Sequence, residues 1–213
     1  NFPLLLASFK IGPALLAGNT MVLKPSPFTP LATLRMCELL AEQLPKGVLN
    51  VVTGGDGLGP RLTAHPGIDK VSFTGSTETG RRVMASAAST LKRLTLELGG
   101  NDAPIVLPDL DVTAIAPKLF WAAFLNAGQV CIAAKRLFVH EEIYDALSAA
   151  LVDYASTIRT GNGAEAGVRI GPIQNEQQFR RVKELIDDSR KQGHRFLLGG
   201  EEAGANAGYF SAD

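Results

Sequence analysis

Cysteine, histidine and tryptophan are scarce in this chain, with two, three and one among 213 residues. Two thiols, Cys37 and Cys131, cannot make a disulfide scaffold, so a packed core must hold the fold, and a reducing, cytoplasmic setting is expected. The three histidines, His65, His140 and His194, show no partner pattern for a cysteine–histidine dyad, and no metal site is expected. Charge of one sign is lacking too. The 21 basic and 21 acidic side chains balance, and no Lys/Arg run could track a phosphate backbone, which argues against nucleic acid as a partner. The longest apolar run near the start, Phe2 to Leu6, is soon interrupted by Ser8 and Lys10 and is too short for a bilayer span. A soluble chain without a membrane partner is therefore expected, and no secretory signal is readable.

What remains is ordinary globular composition, 46% hydrophobic and 20% charged, with length for one large domain or parts of two. The chain opens at Asn1 in an apolar segment and stops at Asp213 after a Gly-rich stretch, so an internal segment of a longer protein is expected.

Strand and helix signals alternate. Thr20 to Lys24 reads as a strand. Pro30 to Leu44 reads as a helix, with leucines at helical spacing, Thr29 as N-cap and Pro30 at the first helical position. Val48 to Val52 reads as the next strand, ended by Gly54 and Gly55. A second round follows: strand Asp69 to Phe73, a small-residue turn from Gly75 to Gly80 into a helix to about Ser89, and strand Arg93 to Leu98. Strand, helix, strand in this order predicts parallel βαβ units, hence a doubly wound α/β sheet or part of one. Beyond Gly100 come a strand at Ala103 to Leu107, a helix at Val112 to Leu125, a strand at Lys135 to Val139, a helix at Glu142 to Thr157, a charged helix at Glu176 to Gln192 and a strand at Arg195 to Leu198. The predicted fold is α/β: a partial Rossmann-like parallel sheet over residues 1–98, then a second partial α/β domain over residues 99–213.

Cys131 follows Gly128, which stands where a C-cap would end the long apolar helix, so the thiol falls in or just after a turn. There it could attack a carbonyl while neighbouring amides hold the oxyanion; a buried structural cysteine is the alternative. Cys37, mid-helix among apolar neighbours, reads as inert packing. Glu97 ends an apolar strand before Gly99 and Gly100, where a carboxylate at the C-terminal edge of a parallel sheet would face the ligand crevice; a solvent-facing glutamate fits as well. Phe73-Thr74-Gly75-Ser76 with Gly80 follows a strand and opens a helix, as a phosphate-binding turn does. Serine replaces the second glycine of the usual fingerprint, and a purely structural turn fits equally. Lys24 ends its strand, where it could bond a dinucleotide or be merely solvated.

In combination these segments resemble the aldehyde dehydrogenase superfamily over essentially the whole chain. Asn1-Phe2-Pro3, Lys24-Pro25-Ser26, Phe73-Thr74-Gly75-Ser76 with Gly80, Glu97-Leu98-Gly99-Gly100 and Gly128-Gln129-Val130-Cys131 carry the resemblance, with Glu97 and Cys131 at the family's spacing, 34 residues apart. The resemblance implies oxidation of an aldehyde to a carboxylic acid with NAD or NADP. Cys131 would attack, and its own N–H and the Asn1 amide would hold the oxyanion. Glu97 would activate the water that hydrolyses the thioester. Lys24, Ser26, Gly55, Phe73, Thr74, Gly75, Ser76, Gly80, Leu98 and Gly99 would bind the cofactor. A homo-oligomer, dimer or tetramer, is implied for the parent. Pro27 stands where many NAD-preferring members carry a ribose-binding glutamate, which leaves NADP open. The rival readings are a coenzyme-A-acylating member and a non-catalytic fragment of the fold. Trp121, Phe124 and Ile132, close to Cys131 in the chain, suggest an apolar or aromatic aldehyde.

Overall fold

In a computed structural model describing residues 1–200, the chain divides into two units: Phe2–Gly99, and Gly100 onward together with Asn1. Both are α/β, and every strand pairing among the described residues is parallel.

The first unit opens with helix α1 (Pro3–Leu16), which the sequence reading did not anticipate. Pro3 sits at the first helical position, where its missing N–H costs nothing. Gly12 and Pro13 inside the helix blur its periodicity. Strand β1 (Met21–Leu23), helix α2 (Leu31–Ala41) and strand β2 (Leu49–Val51) form one βαβ unit, with Met21 opposite Leu49. Helix α2 stops short of the expected Leu44, and Thr29 is not its cap. Pro30 occupies that position, and the Thr29 hydroxyl is buried with no hydrogen-bond partner among the described residues. Ala7, Ile11, Leu23, Cys37 and Leu49 pack into a common core, so α1 and α2 cover this strand pair.

Helix α3 (Leu58–Ala64), also unanticipated, is only seven residues long and contains Gly59 and Pro60. It leads to strand β3 (Lys70–Gly75), helix α4 (Thr77–Ala88) and strand β4 (Arg93–Leu98). Strands β3 and β4 pair over six positions, Lys70 opposite Arg93 through Gly75 opposite Leu98. The expected turn from Gly75 to Gly80 is shorter than predicted: β3 runs to Gly75, Ser76 caps α4, and Gly80 lies inside the helix. A Cβ on Gly80 would stand 2.7 Å from Leu98 Cδ2, so the absence of a side chain lets α4 lie close against β4. Among the described residues the two strand pairs of this unit are separate sheets, not one continuous sheet.

In the second unit, strand β5 (Ile105–Val106), helix α5 (Val112–Phe124) and strand β6 (Phe138–Val139) repeat the βαβ order. Both strands are shorter than expected, although a parallel bridge between Asp102 and Ala134 extends the alignment. Asp111 caps α5 by accepting from the Thr113 and Ala114 N–H groups. Helix α6 (Tyr144–Ser156) packs on α5, with Val106, Ala116 and Leu147 at the core between them. Helix α7 (Glu176–Lys191) is capped by Asn175 and presents a charged surface. The expected strand at Arg195 to Leu198 does not form: no strand among the described residues pairs with it, and Phe196 instead lies under the Arg190 guanidinium.

Candidate active site

Helix α5 ends at Phe124, earlier than a C-cap at Gly128 requires. A short 3-10 segment, Leu125–Gly128, follows, and within it Asn126 (φ 55°), Ala127 (φ 57°) and Gly128 (φ 71°) are consecutively left-handed. Asparagine and glycine accept that region readily, but for alanine it costs about 1–3 kcal/mol. This sharp reversal throws Cys131 out of the helix line, and the thiol is solvent-exposed. Cys37, by contrast, is 4% exposed in the first core, and burial pushes its thiol pKa up.

The Cys131 loop is held by polar contacts on several sides. The Val130, Ala133 and Ala134 N–H groups donate to Gly128, Val130 and Ala122 carbonyls. The Cys131 N–H has no such acceptor among the described residues. The Lys135 ammonium donates to the Val130 carbonyl at 3.0 Å and the Cys131 carbonyl at 3.3 Å, drawing both oxygens to one side. Gly100 passes so close beneath the loop that a Cβ there would stand 3.2 Å from the Cys131 carbonyl and 2.7 Å from Asp102 Oδ1. Asn1 joins the same unit, its side-chain oxygen accepting from Asn126 Nδ2 at 3.1 Å.

Nearby on α5, Phe120 is the centre of an aromatic group with Trp121, Phe124 and Tyr154. Trp121 Nε1 donates to the Tyr154 hydroxyl at 2.8 Å, and the Arg169 guanidinium lies 5.1 Å from the indole centroid. Trp121 is thus fixed from two sides, whereas Phe124 (52%) and Ile132 (74%) leave much of their apolar surface in solvent.

In the first unit Glu97 is the penultimate residue of β4, exposed and in register with Thr74. A residue that the sequence reading missed joins them: Lys10, on α1, donates to Thr74 Oγ1 at 2.7 Å and to the Leu6 carbonyl at 3.5 Å. Burial lowers its pKa, and the Glu97 carboxylate opposes that shift. The one available signal was a single lysine within an apolar helix, which needs a partner or an exit to water.

Phe73, Thr74 and Gly75 form the end of β3. A Cβ on Gly75 would stand 2.5 Å from the Phe73 ring. Ser76 caps α4 by accepting from the Thr79 N–H at 3.2 Å, and the Gly80 N–H donates to the Ser76 carbonyl. The Thr77 and Glu78 N–H groups at this helix start find no acceptor among the described residues. Glu78 is ion-paired to Arg82. Elsewhere in the unit Lys24 follows β1, its ammonium donating to the Pro25 carbonyl at 2.9 Å with two N–H bonds left over. Ser26 Oγ accepts from the Phe28 N–H, and Gly55 and Gly99 each have open space where a side chain would begin. Among the described residues there is no metal-ligating cluster and no helix long and apolar enough to cross a membrane.

Parallel βαβ units define the class, an α/β protein, with a solvent-exposed cysteine on the loop that follows the reversal. The chain belongs to the aldehyde dehydrogenase family, whose sequence profile matches residues 1–212. It is 48% identical over 201 residues to the aldehyde dehydrogenase LUC3 of Fusarium sp, covering 94% of this chain and 42% of that protein. It is 45% identical over 212 residues to the phenylacetaldehyde dehydrogenase of Pseudomonas fluorescens, covering 99% and 42%. Among solved structures, PnpE in complex with nicotinamide adenine dinucleotide superposes with a TM-score of 0.95 at 42% identity, covering all of this chain and 44% of that one. PnpE from Pseudomonas sp. WBC-3 gives 0.92 at 44% identity, with 97% and 43% covered. The chain therefore spans about two fifths of the length of these relatives.

Proposed function

We propose that the chain is the cysteine-bearing part of an NAD(P)-dependent aldehyde dehydrogenase that oxidises an aldehyde to a carboxylic acid through a covalent thioester. The observation that carries this reading is the Cys131 loop: an exposed thiol, a backbone N–H with no acceptor among the described residues, and the Asn1 amide held in the same unit. The Cys131 sulfur, as thiolate, adds to the aldehyde carbon. Hydrogen bonds from the Cys131 N–H and Asn1 Nδ2 stabilise the alkoxide as it forms, which is where fixed donors are worth most. A bound nicotinamide dinucleotide supplies the two-electron acceptor that allows this adduct to become a thioester. Glu97 then takes a proton from water. The hydroxyl oxygen adds to the thioester carbon, the same donors hold the second oxyanion, and the C–S bond breaks to release the acid and return the thiolate.

The residues of the first unit suit the cofactor. Unsatisfied N–H groups at the start of α4, together with Gly75 and the close approach of Gly80 to β4, make a site for a diphosphate. Lys24 and Ser26 are donors for phosphate or ribose, and Gly55, Phe73, Thr74, Leu98 and Gly99 complete the surface. Pro27 carries no carboxylate to repel a ribose 2′-phosphate, so both NAD and NADP suit the chain. For the substrate, the exposed apolar surfaces of Phe124 and Ile132, near Cys131 in the chain, favour an apolar or aromatic aldehyde. The similarity to a phenylacetaldehyde dehydrogenase supports that choice. A cytoplasmic homo-oligomer, dimer or tetramer, is proposed for the whole protein.

The test is nucleotide reduction by the full-length protein that contains this sequence and by its Cys131→Ala variant, with aromatic and small charged aldehydes, NAD and NADP, with and without coenzyme A. Cysteine-dependent reduction without coenzyme A, faster with aromatic aldehydes, is expected. Reduction only with coenzyme A would overturn the hydrolytic step, and equal rates with small charged aldehydes would overturn the substrate class.

A further inference from the structure

The side chain of Asn126 faces Asn1, and backbone groups fix which way both amides point. Asn126 Nδ2 lies 3.4 Å from the Gln129 carbonyl, a group that can only accept, so the NH2 end of Asn126 is the end on that side. The same Nδ2 lies 3.1 Å from Asn1. Asn1 must therefore offer its oxygen to Asn126, and its own NH2 is left pointing elsewhere. The clamp is itself anchored. Gln129 Oε1 accepts from the Gln174 N–H at 2.8 Å, a group that can only donate, so Gln129 Nε2 is directed onto the Asn126 carbonyl at 2.9 Å. Asn126 is left-handed, a conformation asparagine tolerates better than most residues, and its position in the reversal aims it at Asn1.

We propose that Asn126 is a positioning residue: by occupying the Asn1 oxygen, it presents the Asn1 NH2 group to the oxyanion formed at Cys131. This rests on the proposed function for the part Asn1 plays. Asn126→Asp keeps the shape and tolerates the left-handed backbone, but sets a carboxylate against the Asn1 oxygen. Asn126→Gly keeps the backbone and removes the donor.

The test compares two reactions of Cys131 in the full-length protein. Acylation by p-nitrophenyl acetate passes through a tetrahedral oxyanion, whereas alkylation by iodoacetamide does not, and neither needs a dinucleotide. Both Asn126 variants are expected to slow the nitrophenolate burst by up to about 100-fold, the lower end of the roughly 100- to 1000-fold scale of a lost oxyanion donor, with alkylation within about twofold of native. In an Asn1→Ala background the Asn126 substitutions should add less than about twofold. Parallel loss of acylation and alkylation, or effects that multiply with Asn1→Ala, would overturn the proposal. Failure of native protein to oxidise aldehydes, with the burst effects intact, would instead count against the proposed function alone.

Discussion

The two cysteines differ in exposure and in backbone setting, although the sequence offers only their neighbours. Cys37 lies within a helix and is buried, and Cys131 lies on an exposed reversal. Limiting iodoacetamide near neutral pH should therefore label Cys131 first, as peptide mass analysis would reveal; equal labelling in the folded protein would contradict these environments. Cys37 also makes a pH prediction. Its folded pKa is raised by burial, so the unfolded thiol ionises first. The stability contributed by keeping it protonated is fully present below the ordinary thiol range and is lost as pH rises through and above that range. Comparison of urea midpoints for native and Cys37→Ala proteins should show their difference narrowing at alkaline pH. A constant difference would mean that burial does not govern this thiol.

At the scale of elements, glycines set how closely chain segments approach. Gly100 lies under the Cys131 carbonyl, so Gly100→Ala should displace the loop and cut turnover by about 10- to 100-fold, since misplacement of an attacking group by about 1 Å has effects of that order. Gly99→Ala meets no atom within 4 Å, and should spare the loop by the same alkylation and burst assays. In the second core Leu147 is fully buried against α5, and Leu147→Ala should destabilise by about 2–5 kcal/mol in denaturant titration. The elements most legible in the sequence were those with strong local signals: strand β4 ran from Arg93 to Leu98 as read, and α5 and α7 each fell within a residue of their expected ends. Helix α1 was obscured because Gly12 and Pro13 interrupt an otherwise apolar helix. The stretch at Arg195 to Leu198 had the composition of a strand but, in the described chain, has no strand to pair with, and pairing is a tertiary fact that composition does not carry.

Over the whole chain, the parallel βαβ logic and the family were readable, because strand, helix, strand with intervening glycines is a local pattern. The contacts that shape the candidate site were less so. Cys131 and Glu97 stood out by their settings, a turn after a helix and a carboxylate ending an apolar strand. Lys10, Asn126 and the outer contact of Gln129 did not, since each is defined by a partner distant in sequence or by the unusual backbone of the reversal. Lys10 reaches Thr74 and Gln129 reaches Gln174 across long separations, and no spacing rule predicts such pairs.

In the reaction we propose, Cys131 becomes acylated by the aldehyde and Glu97 governs its release. The most direct measurement is the mass of the Cys131 peptide after the full-length Glu97→Gln protein is mixed with an aromatic aldehyde and NAD, then quenched in acid. The expected result is a stable acyl thioester on Cys131, formed with about one reduced nucleotide per active site and little further turnover. An unmodified Cys131 accompanied by sustained nucleotide reduction, or an acyl group on Cys37 instead, would contradict it.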